Sequence, residues 1–171
     1  MSNPNYKVIS GSCYYFENTA LLNYAEAQLN CQDKFGNLVG GKLFEPRLYS
    51  TNQLVYAEAA NFTSATSNDF WLGINDLAIQ GQYVYASDGN EVVDGMWSSS
   101  QPNTVTERCV AYYDMPSNAG EWFDRPCNFL SFSICQGGKE GKEGMLDPNS
   151  LHINCAVRHP LSRDFSNFQV P

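Results

Sequence analysis

The chain has 171 residues, 43% of them hydrophobic and 13% aromatic, which suits one domain with a real core and argues against disorder along its whole length. Its net charge of −8 excludes nucleic acid and anionic membrane as primary partners, because both select a basic surface. No run of 18 apolar residues occurs, so no membrane insertion is expected.

The segment Thr19 to Phe35 is expected to form a helix, since Leu22, Ala25 and Leu29 recur at three- and four-residue steps. Gly36-Asn37 reads as its stop signal. A second helix is expected from about Thr51 to Ala60, with Ser50 and Gln53 at capping-box spacing. Strand patterns follow at Phe70–Ile74, Tyr83–Tyr85, Cys109–Tyr113 and Ser131–Cys135. Between Asp88 and Arg108 runs a long stretch rich in Ser, Gly, Asn and Pro, and a loop of that length in a compact domain is usually functional. Two helices followed by strands and one long loop give an α+β domain.

Residues 1–136 are expected to be that domain. Up to position 136 there are six basic and 14 acidic residues; beyond it there are four of each. Residues 137–144 hold four glycines and no apolar side chain, and read as a flexible linker to a tail, 145–171.

The histidines are His152 and His159, so the first 151 residues offer no imidazole base or ligand. A Ser/His/Asp site or a histidine-based zinc site there is excluded, and no enzyme is expected. Six cysteines stand at 13, 31, 109, 127, 135 and 155, with no CxxC pair. An even, widely spaced set favours disulfides and a secreted, extracellular protein. Asn61-Phe62-Thr63 is an N-glycosylation triplet after the second helix, which suits a secreted glycoprotein.

Several of these residues together resemble a C-type lectin-like domain over about residues 11 to 136. Gly11-Ser12-Cys13-Tyr14-Tyr15-Phe16 resembles its first strand, and Tyr24-Ala25-Glu26-Ala27 with Cys31 its first helix. Gly41-Lys42-Leu43 and Glu45-Pro46 resemble the approach to its second helix. Trp71-Leu72-Gly73-Ile74 matches its core signature, and Trp97 precedes Gln101-Pro102-Asn103 as its long loop requires. Cys109, Trp122, Cys127 and Cys135 then fall in register.

The resemblance implies disulfides Cys31–Cys135 and Cys109–Cys127. The first would close a loop of roughly 100 residues and contribute on the order of 4–5 kcal/mol in the chain-entropy view. Cys13 and Cys155 are left over; a bond between them, an intermolecular bond and two free thiols all stay open. The resemblance also implies one Ca²⁺ on the long loop, held by Gln101, Asn103, Glu107 and Asp124, with a cis proline at Pro102 between the two amides. Phe123 stands where the family usually has Asn, and only two ligands carry charge, so binding would be weak. A second calcium position is expected to be absent: Asp76 is present, but Gln80 and Arg108 replace acids.

The implied function is a binding module. Vicinal hydroxyls of a carbohydrate or glycoconjugate would meet the same four residues and Phe123, and Gln-Pro-Asn mixes the mannose-type and galactose-type motifs with a slight lean to galactose. Trp71, Trp97 and Trp122 are expected in the core, with Tyr113 and Phe123 as candidate aromatic contacts. A homo-oligomer would add avidity, with the tail as a candidate contact. The alternative is a calcium-independent module of the same fold that binds a protein or a surface such as ice or mineral.

Overall fold

The computed structural model describes residues 3–35, 40–64, 69–137 and Cys155. The expected helix stop at Gly36-Asn37, the linker beyond Gly137 and the rest of the tail lie outside these residues.

The chain opens with a hairpin. Strand β1 (Tyr6–Ile9) pairs antiparallel with β2 (Ser12–Leu22), placing Tyr6 opposite Tyr15. The turn between them has positive φ at Ser10 and Gly11, a conformation that glycine adopts without steric cost. Residues Thr19 to Leu22, expected to begin a helix, instead continue β2, and Leu22 pairs with Ser131. The ladder slips between Glu17 and Leu22. The buried Glu17 carboxylate holds the slipped backbone, accepting from the amides of Thr19 at 3.0 Å and Ala20 at 3.2 Å.

Helix α1 (Tyr24–Phe35) therefore starts later, at a reciprocal cap. The Asn23 side chain accepts from the Glu26 amide at 3.0 Å, and the Glu26 carboxylate accepts from the Asn23 amide at 3.0 Å. Its buried face is Tyr24, Ala27, Cys31 and Phe35, while Leu29 is exposed. Helix α2 (Tyr49–Ala59) follows Leu48, with no side-chain cap. The capping box expected at Ser50 does not form: Ser50 lies inside the first turn, and Gln53 donates instead to the Ala119 carbonyl at 3.0 Å. This helix buries Asn52, Val55, Tyr56 and Ala59, a helical period that includes one polar residue.

The remaining strands are β3 (Lys42–Leu43), β4 (Phe70–Asn75), β5 (Val84–Tyr85), β6 (Cys109–Tyr112), β7 (Phe123–Arg125) and β8 (Ser131–Gln136). Their sheet runs β1-β2-β8-β4-β6-β7, with β3 also on β8 and β5 also on β4. Strand β8 is antiparallel to β2 and parallel to β4. Every residue of β4 is buried, as the apolar run Phe70–Ile74 requires of a central strand, and the polar Asn75 at its end donates to Tyr24 Oη at 3.2 Å. One core cluster joins Phe16, Phe44, Val55, Phe70, Leu72, Tyr112, Trp122 and Phe132; a second gathers Tyr15, Tyr24, Cys31, Trp71 and Cys135. Each fully buried aromatic or aliphatic side chain contributes roughly 1.5–3 kcal/mol. Trp71 and Trp122 are wholly buried, whereas Trp97 is half-buried against the core. Disulfides join Cys31 to Cys135, Cys109 to Cys127 and Cys13 to Cys155.

Behind β4 lies a buried ionic hub. Glu45 accepts from Lys42 Nζ at 2.5 Å, Arg47 Nη2 at 2.7 Å and the Ser87 amide at 2.8 Å. Burial works to raise the Glu45 pKa, but these bonds overcome it and hold the carboxyl below its ordinary value. For Glu17 likewise burial raises, yet bonds from Thr19 and the Lys34 charge leave it lowered. A lowered folded pKa gives stability that is present above the unfolded value, about 4.3 for Glu, and is lost as pH falls through the folded one. The urea midpoint is therefore expected to drop as pH falls below about 5. Glu45→Gln should flatten that drop; a variant curve parallel to the parent's would rule Glu45 out as a source of the acid sensitivity.

Candidate functional site

The long loop is fastened to β7 through aromatic residues. Trp97 and Trp122 meet edge to face at 5.9 Å, and Trp97 meets Tyr83 at 4.7 Å. The Trp122 amide donates to Met96 O at 2.8 Å, and the Ser98 amide donates to Trp122 O at 3.0 Å. The loop then turns through Gln101-Pro102, a cis peptide bond, and the Gln101 amide closes on Ser98 O at 3.0 Å.

Strand alternation decides what faces this turn. Asp124 is 1% exposed and points inward, while its neighbours Phe123 and Arg125 are only half-buried. The Asp124 carboxylate accepts from the Asn103 amide at 3.2 Å and the Thr104 amide at 3.4 Å. Tyr83 donates to the Glu107 carbonyl at 3.2 Å and lies 3.5 Å from Asp124 Oδ2. Burial, with the charges of Asp124 and Asp76 added, drives the Tyr83 hydroxyl pKa far upward, so it remains a donor. Gln101, Asn103, Glu107 and Asp124 thus belong to one stretch of loop and strand. Phe123 is turned to a different neighbour: its ring packs on Tyr113 at 5.4 Å, and Tyr113 is exposed.

Two features bear on whether a hard cation suits this place. The side-chain oxygen of Gln101 is buried and accepts no hydrogen bond. The Glu107 pKa is raised first by burial and then by the Asp124 charge, with Arg125 as the opposing influence. An uncommitted carbonyl oxygen and two mutually repelling carboxylates are the donor chemistry that Ca²⁺ takes. The residues therefore fit one cation, though sparsely; among the described residues no three His, Cys, Asp or Glu side chains converge on a metal position.

Where the family's second calcium is expected to be missing, a side-chain cation stands. Arg108 Nε meets Asp76 Oδ1 at 3.0 Å, its Nη2 donates to the Asp76 carbonyl, and the Gly81 amide donates to Asp76 Oδ2 at 2.6 Å. Elsewhere a cleft of about 600 Å³ is lined by Gln28, Gln32, Lys42 and Glu45. Its one carboxylate is already committed to Lys42, Arg47 and Ser87. Asn61 is exposed, in a short 3₁₀ turn (Ala60–Phe62).

Comparison with known proteins agrees with this architecture. Residues 20–137 match the model of the lectin C-type domain. The chain belongs to the C-type lectin domain family. Lectin BRA-3 from Megabalanus rosa is 27% identical over 135 residues, covering 78% of this chain and 76% of that protein. An alpha-N-acetylgalactosamine-specific lectin from Patiria pectinifera is 26% identical over 134 residues, covering 78% of each. Collectin-11 from Danio rerio is 30% identical over 119 residues, 68% of this chain, and the match spans 40% of that longer protein. A Ca²⁺-dependent type II antifreeze protein in its Ca²⁺-free form shares the fold at a TM-score of 0.60 and 27% identity, over 78% of this chain and 98% of that one. Proteins named as lectins and a protein named for antifreeze action thus share this domain. Three disulfides and, among the described residues, no helix long and apolar enough to cross a membrane complete this C-type lectin domain.

Proposed function

We propose that this C-type lectin domain is a secreted carbohydrate-binding module, not an enzyme, that engages vicinal sugar hydroxyls at the Gln101–Asn103 turn with one weakly held Ca²⁺. The observation that carries this reading is the meeting of Asp124 with the Asn103 and Thr104 amides, beside Glu107 and the uncommitted Gln101 oxygen. Gln101, Asn103, Glu107 and Asp124 would hold the ion, which supplies a Lewis-acidic centre for two hydroxyl oxygens. The protein's part is to fix those oxygens and to exclude wrong geometries through the rigid turn. A galactose-type sugar is favoured by Gln at position 101 and by the N-acetylgalactosamine specificity named for the Patiria relative. The exposed Asn61 suits an N-glycan, and self-association would raise avidity.

One observation supports a second reading. Asp124 already ties down the loop amides with no metal needed. A calcium-independent surface or protein ligand is the alternative on those grounds.

Calcium titration calorimetry separates the two. The native chain should bind one Ca²⁺ weakly and retain immobilised galactosides in calcium but not in chelator. Asparagine in Phe123→Asn is short enough to leave Tyr113 and turn an amide oxygen to the loop, and is then expected to raise calcium affinity by about threefold or more. No gain in that variant would remove position 123 from the metal shell. Equal glycan retention in chelator would refute the calcium-bridged mechanism and favour the alternative.

A further inference from the structure

Five of the six described cations have a carboxylate partner. Lys7 meets Glu58 at 3.0 Å, Lys34 meets Glu17 at 3.2 Å, Lys42 and Arg47 meet Glu45 at 2.5 and 2.7 Å, and Arg108 meets Asp76 at 3.0 Å. Among the described residues Arg125 alone has no ion pair. Its guanidinium lies over two rings instead, 4.3 Å from the Tyr113 centroid and 4.5 Å from that of Phe129. Rings occupy guanidinium surface without accepting its N–H bonds. Its Nε is buried with no acceptor, and its charge is felt by Asp69 and Glu107 without an ion pair to either. In a chain of net charge −8, an unpaired guanidinium is the exception that needs a reason.

Its position supplies one. Arg125 follows Asp124 on β7, and its charge reaches Glu107. It shares the outer face of that strand with Phe123, whose ring continues onto Tyr113. The fork of N–H donors fits a carboxylate or sulfate with two parallel hydrogen bonds, a match that a lysine ammonium lacks. We propose that Arg125, held by Tyr113 and Phe129, is an oxyanion subsite beside the loop, and that the ligand is a saccharide carrying a carboxylate or sulfate group. This rests on the saccharide-binding reading and adds the class of sugar to it. The five paired cations are already neutralised, so the anionic group is read at this one point.

The test is frontal affinity chromatography in calcium on immobilised galactose, galacturonate and galactose 6-sulfate, with the native chain, Arg125→Gln and Arg125→Lys. The native chain should hold at least one anionic sugar about tenfold more tightly than galactose, as a charge-assisted bond implies. Whichever anionic column shows the advantage identifies the substituent. Arg125→Gln should lose that advantage and keep its retention on galactose; Arg125→Lys should keep no more than a small part of it. An anionic advantage that is absent in the native chain, or intact in Arg125→Gln, overturns the subsite. Retention on galactose without any anionic advantage refutes the subsite and leaves the saccharide reading standing. Retention on neither galactose nor the anionic sugars refutes the saccharide reading itself, and the subsite with it. Should Arg125→Gln fail to fold, the guanidinium ¹⁵N resonances of the native chain decide: galactose 6-sulfate or galacturonate must shift them, and resonances unmoved by both refute the subsite.

Discussion

Replacing Asn52 with leucine is expected to lower the unfolding free energy by about 4 kcal/mol, one of the largest single effects in this domain. Asn52 is fully buried on α2 and binds three groups from other segments. Its Oδ1 accepts from Tyr112 Oη at 2.6 Å and from Trp122 Nε1 at 3.1 Å, and its Nδ2 donates to the Gly120 carbonyl at 2.9 Å. Leucine fills a similar volume but leaves the Trp122 donor and the Gly120 acceptor without partners, each costing about 1–3 kcal/mol when buried, and leaves Tyr112 only its long bond to the Asn52 carbonyl at 3.4 Å. The added apolar contact offsets a part of this. Thermal unfolding should shift down by about 10–15 °C. Gln53→Ala is the control, because the bond it removes is exposed and should cost under about 1 kcal/mol. A melt within 3–4 °C or so of the parent would show that water or a rearranged Trp122 satisfies the site. Trp122 leads directly into β7, so Asn52→Leu should also weaken ligand binding by disturbing the strand that carries Asp124.

Asp124→Asn and Asp124→Ala are expected to abolish calcium binding, with affinity falling at least about tenfold in each. They should differ in what happens to the loop. Asparagine keeps an acceptor for the Asn103 and Thr104 amides, so the loop stays fastened while one of two charges is lost. Alanine removes both functions and releases two part-buried amides, at about 1 kcal/mol or less. Limited proteolysis between Ser98 and Glu107 should accelerate in the alanine variant and not in the asparagine one, while the disulfide-held core stays folded in both. If the asparagine variant binds calcium like the parent, Asp124 is a loop cap and the carboxylate has no part in a metal site.

Much of the architecture was legible because it rests on short-range pattern. The Phe70–Ile74 pattern is an apolar run with no break, and the cysteines of α1, β6 and β8 fall at intervals that few folds share. The helix that was placed too early failed for a physical reason. Leu22 and Leu29 recur at helical spacing, yet Leu22 is the last residue of a strand and Leu29 faces solvent. The signal that marks the true start, Asn23 with Glu26 three residues on, was in the sequence and weaker to the eye than the leucines. At the second helix Ser50 and Gln53 have the same spacing and make no cap, since Leu48 already starts the helix and Ala119 draws Gln53 away. The ligand set expected in the loop was what the family resemblance implies, and its burial could not be read that way. Nothing local reveals that Asn52 is interior, or that Arg125 lacks a carboxylate; both depend on segments about 70 and 12 residues away in sequence, respectively Trp122 and Tyr113.

The pairing of Tyr14 with Gln136 brings the incoming and outgoing strands together at one edge of the domain. A pulling force along the chain would not reach that rung, because Cys13, one residue before Tyr14, is bonded to Cys155, beyond Gln136. The load crosses that sulfur bridge from one flank to the other. Everything between those two cysteines is mechanically bypassed, including Pro102, Glu107, Asp124 and Arg125. A domain of this connectivity can be strung in a shear-loaded fibre or matrix and keep its long loop slack.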